Sequence, residues 1–175
     1  MNMKILKSIP IALSLIIALP LTEFAFAETN TDAESYKVLS TENDKLSVNS
    51  VKNLLDQGDI YIESGDFDKA KEAYDNARNL AKQLTGFYRD LNGAFRGLDA
   101  RIPKEMEEKG REALKVWAEA NARLVALYIS KNEHEVAVPL LVEIIKLMTP
   151  SSIEAKNAYN QLLELGFVET PYSGF

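Results

Sequence analysis

Cysteine is absent from the 175 residues, so a disulfide framework, a thiolate zinc site, an iron–sulfur centre and a cysteine nucleophile are excluded by inventory. A single histidine, His134, removes multi-histidine metal sites as well. Glycine and proline are sparse, at 8 and 6, while hydrophobic residues make up 46% of the chain and charged residues 26%. That balance excludes a collagen-like or wholly disordered chain and supplies a core for one ordinary domain. Basic residues number 20 against 26 acidic ones, a formal charge of −6, which works against attraction to a phosphate backbone, so nucleic acid is not an expected partner. Glycine-rich phosphate loops and a Gly-x-Ser-x-Gly elbow are missing, and the carboxylates are scattered without an identifiable glycosidase pair. No segment alternates apolar and polar residues for long enough to build a sheet.

What is present begins with an apolar N-terminus. Lys4 and Lys7 precede the run from Ile9 to Leu21, Pro10 and Pro20 frame it, and Ala25 and Ala27 bracket Phe26 before Glu28. The run falls short of the ~20 residues a spanning helix needs and the small residues mark a cleavage point, so residues 1–27 read as a secretory signal peptide, with a retained anchor as the alternative. No cysteine follows, which rules out a lipoprotein anchor. Cleavage removes two lysines and one glutamate and leaves the exported chain more acidic. Residues 28–46 are rich in Ser, Thr, Asn, Asp and Glu without an apolar period and read as a flexible leader.

From residue 47 to 166 the apolar period is helical throughout, and the expected fold class is all-α. A first helix carries Leu54, Leu55, Ile60, Tyr61 and Ile62, and Glu63-Ser64-Gly65-Asp66 stops it. Asp66 caps a second helix with Phe67, Ala70, Ala73, Tyr74, Ala77 and Leu80 on one face. The period continues from Leu84 to Ile102, weakened by Gly86, Gly93 and Gly97, and Pro103 is expected to end it by pushing Ile102 out of helical geometry. A long helix follows from about Lys104 to Ser130, with i,i+4 ion pairs on its wet face at Glu105–Lys109 and Glu107–Arg111. Asn132 with Glu135, and Ser151 with Glu154, resemble capping boxes for two further helices, the last stopped by Gly166. Residues 167–175 form a short turn-rich tail.

Residues 51 to 84 resemble a tetratricopeptide repeat, a helix–turn–helix unit of ~34 residues. Leu54 takes the tryptophan slot, Gly58 the glycine and Tyr61 the aromatic; Gly65 falls in the turn with Phe67 beyond it, and Ala70, Tyr74 and Ala77 follow in the slots for alanine, phenylalanine and alanine. Gln57 departs from the usual leucine and Lys82 from the usual proline, which points to a non-standard handover and an irregular stretch from 85 to 103. A second, degenerate copy lies 67 positions on, with Tyr128, Ala137, Leu141 and Ile144 on Tyr61, Ala70, Tyr74 and Ala77, and with Val125 and Asn132 replacing the glycines. The resemblance implies antiparallel helical hairpins stacked in a short right-handed solenoid, with the last helix as a cap, because one unit cannot bury its own apolar face.

The resemblance also implies a protein or peptide partner held in a concave groove lined by the first helix of each unit. By that analogy Lys52, Leu55, Asp59, Ile62 and Glu63, and in the second copy Glu119, Ala122, Ala126, Ile129 and Ser130, face the ligand. These faces mix acid and aliphatic character, lack the cations of a carboxylate clamp, and suit apolar or basic-apolar segments. The block around GFYRDLNGAFRGLDARIP, with the exported leader, is similar to small exported repeat proteins of cyanobacteria, which implies the periplasm or the thylakoid lumen. No cofactor, metal or catalytic residue is assigned. His134 reads as a packing or surface residue and Trp117 as core. The polar-aromatic block from Tyr88 to Arg101 is either a helix surface with internal ion pairs or a partner-docking patch. Three classes of function follow: an exported scaffold that aids assembly or maintenance of a larger complex, a permanent structural subunit of a membrane-associated complex, and a hydrolase of unidentified type.

Overall fold

The computed structural model describes residues 45–172. The signal segment, the leader up to residue 44 and the last residues of the tail lie outside the described residues. Five helices follow one another: α1 (Val48–Glu63), α2 (Phe67–Phe95), α3 (Arg101–Ser130), α4 (His134–Leu147) and α5 (Ile153–Glu164), with no strand among the described residues. The chain is all-α, and successive helices pack against one another as in a helical repeat solenoid.

Local chemistry sets most boundaries. The Ser47 hydroxyl accepts from the Ser50 amide and starts α1, Asp66 accepts from Lys69 to start α2, and Ser152 accepts from Ala155 to start α5. Each satisfies an amide that the first helical turn leaves without a backbone partner. Ser152 rather than Ser151 is therefore the cap of α5. The proposed cap at Asn132 is also corrected: Asn132 has φ 60°, and Glu133 precedes α4 with no side-chain cap. Asparagine tolerates the left-handed conformation that Gly65 adopts at φ 77° in the equivalent turn.

The largest departure from expectation is the continuity of α2. It runs 29 residues without a break, so the irregular stretch expected from 85 to 103 shrinks to residues 96–100, where Gly97 has φ 87°. Pro103 does not end a helix. It sits in the first turn of α3, where its missing N–H costs no intrahelical bond, and Ile102 before it is helical. Past Leu84, α2 and the start of α3 form a projecting two-helix arm. No residue from 85 to 105 is buried, and the Asn92 amide donates to the Pro103 carbonyl at 2.8 Å to join the two helices of the arm.

Below the arm lie two cores. Val51, Leu55, Tyr74, Leu84, Val116 and Leu124 belong to the first, between α1, α2 and α3. Val125, Leu141, Ile144, Ala158 and Leu162 belong to the second, between α3, α4 and α5. Tyr128 and Leu140 pack against both and join them. At the seam Asn121, fully buried in the position that Leu54 holds in the first unit, accepts from Arg78 Nε at 2.7 Å and donates to Glu143 Oε2 at 2.8 Å. Arg78 Nη2 reaches the same Glu143 oxygen at 2.6 Å. Burial alone would raise the Glu143 pKa; hydrogen bonds from Arg78 and Asn121 outweigh it and hold the carboxyl below its usual range. The network closes its own polar atoms and fixes how α2, α3 and α4 sit in register.

Gly58 of α1 is buried under the Tyr74 ring, and a Cβ there would overlap the ring carbons. The Tyr74 hydroxyl is held by Asp59 at 2.6 Å, so the ring cannot swing aside. Gly58→Ala is therefore expected to lower stability by about 1–3 kcal/mol. Gly93→Ala, in open space on the arm helix, should raise it by up to about 1 kcal/mol. Urea unfolding midpoints of the two variants check the opposite signs.

Candidate functional site

The end of α1 and the end of α3 are built alike. The Asp66 amide donates to the Tyr61 carbonyl at 2.9 Å and Gly65 to Ile62 at 3.0 Å; 67 residues on, Glu133 donates to Tyr128 at 2.8 Å and Asn132 to Ile129 at 3.0 Å. The pattern recurs a third time at the end of α5, 34 residues further, where Phe167 donates to Leu162 at 2.9 Å and Gly166 to Leu163 at 3.0 Å. α5 thus closes the stack and at the same time repeats the first helix of a unit. α1, the second half of α3 and α5 are successive equivalents, and the face they share is the candidate binding surface.

On α1 the expected ligand-facing residues divide. Lys52 and Glu63 are exposed and Ile62 is half-buried. Leu55 is 1% exposed and belongs to the first core, which corrects its assignment: α2 and α3 both close on that side of α1. Asp59 is engaged by the fold. Its Oδ1 accepts from the Tyr74 hydroxyl at 2.6 Å and from Arg123 Nε at 3.0 Å, tying α1 to α2 and α3. Burial works to raise the Asp59 pKa, but the bonds from Arg123 and Tyr74, with the Arg123 charge, hold it below the usual carboxylate value. The Tyr74 hydroxyl is pushed well above its ordinary range by burial and by its bond to Asp59.

On α3, Ala122, Ala126 and Ser130 are exposed, Glu119 and Ile129 are half-buried, and Ile129 packs on the second core. Glu119 and Ala122 line a cleft of about 200 Å³ between α3, α4 and α5. Its apolar lining includes Ala118, Leu141, Ile144 and Ala158, and α5 adds Glu154, Asn157 and Gln161. The three α5 residues were missed from the sequence; the recurrence of the Asn132 turn at Gly166 was the signal that would have found them. The cleft presents two carboxylates, two amides and no cation. The Arg123 guanidinium is paired with Asp59, and its charge also acts on Glu119. Ala126 and the α1 residues lie outside this cleft. Among the described residues no group of His, Asp or Glu is placed to hold a metal ion, and no helix is long and apolar enough to cross a membrane.

The remaining residues singled out by sequence have structural places. His134 is exposed at the start of α4. Trp117 packs partly buried on the first core, with Lys82 over its ring at 6.0 Å. In the block from Tyr88 to Arg101, Arg89 pairs with Asp90 and Arg101 with Asp99, at the surface of the arm. Tyr172 of the tail meets Tyr159 of α5 edge-on, and the Tyr159 hydroxyl donates to the Thr170 carbonyl.

Residues 51–83 match the family model of the tetratricopeptide repeat; the match covers α1 and the first half of α2. No curated protein matches the chain. Tetratricopeptide repeats mediate contacts between proteins, so the segment marks a protein–protein interaction scaffold.

The role of Asp59 as a tie between helices has a pH signature. A carboxyl with a depressed folded-state pKa contributes stability above its unfolded value and loses it as pH falls through the folded value. Asp59→Asn is therefore expected to be less stable than wild type at neutral pH, with the difference shrinking as pH falls below the ordinary value of 3.8. Denaturation midpoints at pH 7 and pH 3 test this; a gap of equal size at both would contradict it.

Proposed function

We propose that the chain is an exported scaffold that holds a protein or peptide partner on the concave side of its helical stack, in the periplasm or thylakoid lumen, and aids the assembly or maintenance of a larger complex. The observation that carries the binding reading is the cleft between α3, α4 and α5: an apolar lining joined by Glu119, Glu154 and two amides, with no cation. Such a cleft takes a small apolar side chain and favours a basic residue beside it, because an incoming cation meets two carboxylates and no cation in the lining. A C-terminal carboxylate would meet the same two charges and be repelled. Export is supported by the pattern of Lys4, Lys7, the apolar run and Ala25–Ala27.

Asp59 is the wrong residue with which to probe the cleft, since its loss would loosen α1. Glu119→Lys with Glu154→Lys is the suitable variant. Cross-linking in the native organism followed by mass spectrometry identifies the partner, and the double variant is expected to reduce its recovery several-fold, most strongly at low salt. Unchanged recovery would remove the cleft from the binding site. A hetero-complex that survives purification would make the chain a permanent subunit; a chain that purifies without its partner makes it a transient scaffold.

A further inference from the structure

α1 covers only part of the α2 face on which it closes. Gly58 lies under Tyr74, and in an antiparallel hairpin equal steps back along α1 and forward along α2 stay level. Seven steps bring Val51 level with Ala81, and both are fully buried in the first core. Three more bring Val48, where α1 starts, level with Leu84. On α2 that face advances by three and four residues through Ala77, Leu80, Leu84, Phe87 and Leu91. Where α1 runs beside it, Ala77 and Leu84 are buried; past the start of α1, Phe87 and Leu91 are 43% and 44% exposed. Leu46, ahead of α1, still packs against the first core, so the chain meets the base of the arm on the side of these two residues.

We propose that residues 36–44 of the same chain, which lie outside the described residues, continue past the start of α1 and cover Phe87 and Leu91, with Tyr36, Val38 and Leu39 as the anchors. Place, length, composition and charge fit that occupant. The described chain begins at Lys45, level with Phe87 by the same register, so the segment starts at the site. Six residues of extended chain reach about 20 Å, and Leu91 lies only about 6 Å beyond Phe87 along the helix, so Leu39 arrives with slack. Between Glu28 and Asp44 the large apolar residues are Tyr36, Val38 and Leu39, one cluster with which an otherwise polar segment can bury an exposed phenylalanine and leucine. The same stretch has five acidic residues and one basic, whereas residues 85–104 of the arm have four basic and two acidic in a chain of net charge −6. The arm therefore attracts an acidic segment that the acidic remainder of the chain repels. A segment joined through so few residues meets its site at an effective concentration on the order of millimolar, which a second molecule has to exceed. Neither Phe87 nor Leu91 lines the cleft between α3, α4 and α5, so that surface stays open and the inference does not rest on it.

A benzophenone attached at Ser40→Cys, unique in the cysteine-free full chain, tests the proposal by photo-cross-linking and peptide mapping, with an isotope-labelled and an unlabelled preparation mixed. Cross-links are expected within one chain and between Leu84 and Leu98, and Phe87→Glu with Leu91→Glu is expected to cut their yield several-fold. Where that double variant loses far-UV helicity, Val38→Ser with Leu39→Ser, outside the described helices, decides in its place with the same expected loss. Cross-links scattered over the molecule or concentrated on other helices overturn the proposal. So do cross-links that join labelled to unlabelled chains, which put a second copy on the face, and a yield that neither variant changes.

Discussion

Helical continuity through Lys82 shapes the rest of the molecule. A proline at that position would remove an amide donor, clash with the preceding turn and end the second helix of the first unit at a cost of about 3 kcal/mol. Lys82 leaves the ladder intact, so α2 runs on to Phe95. The lysine side chain lies over Trp117 of the returning helix. What would have been a separate middle unit becomes a helical arm. The chain returns along α3 and begins the second unit only at its far half, which is why the two copies are 67 residues apart and still adjacent in space.

Adjacency across such an insertion needs more than apolar contact, because a smooth pair of helices can slide. Two polar ties fix it. Asp59, Tyr74 and Arg123 join α1 to α2 and α3, and Arg78, Asn121 and Glu143 join α2 to α3 and α4. Each is substantially satisfied within itself, and each costs free energy if one member is lost and the others stay buried. Holding α3 in place fixes the wall of the cleft against which α4 and α5 close. The residues that most resemble a ligand-binding pair by position, Leu55 and Asp59, are consumed in building that wall. Glu119 and α5 are left to line the cleft.

Much of the fold was legible because helices announce themselves locally. The Ser64-Gly65-Asp66 stop, the Ala70/Tyr74/Ala77 face and the 67-residue offset are short-range patterns, and the structure uses all three. Continuity of α2 was obscured by Gly86 and Gly93, which lower helix propensity without breaking the hydrogen-bond ladder. Pro103 was misread because a proline ends a helix when it follows one and is tolerated in the first turn when it opens one; sequence alone does not say which side the helix lies on. The cleft was half legible. Position numbers within a repeat pick out Glu119 and Ala122, which line the cleft, but they do not reveal that Asp59 has partners 15 and 64 residues away. Nor do they show Glu154, which lies on the helix that the sequence marks as a cap.

The account depends most on α2 being one unbroken rod across Lys82. The cysteine-free chain accepts spin labels at Asn79→Cys and Ala94→Cys without background, and both sites are exposed. A continuous helix separates the two backbone positions by about 22 Å at 1.5 Å per residue. Dipolar spectroscopy is expected to give one narrow distance distribution consistent with that separation. A short or broad distribution, as from two helices folded back on each other at residue 82, would contradict the arm and with it the placing of the second unit against the first.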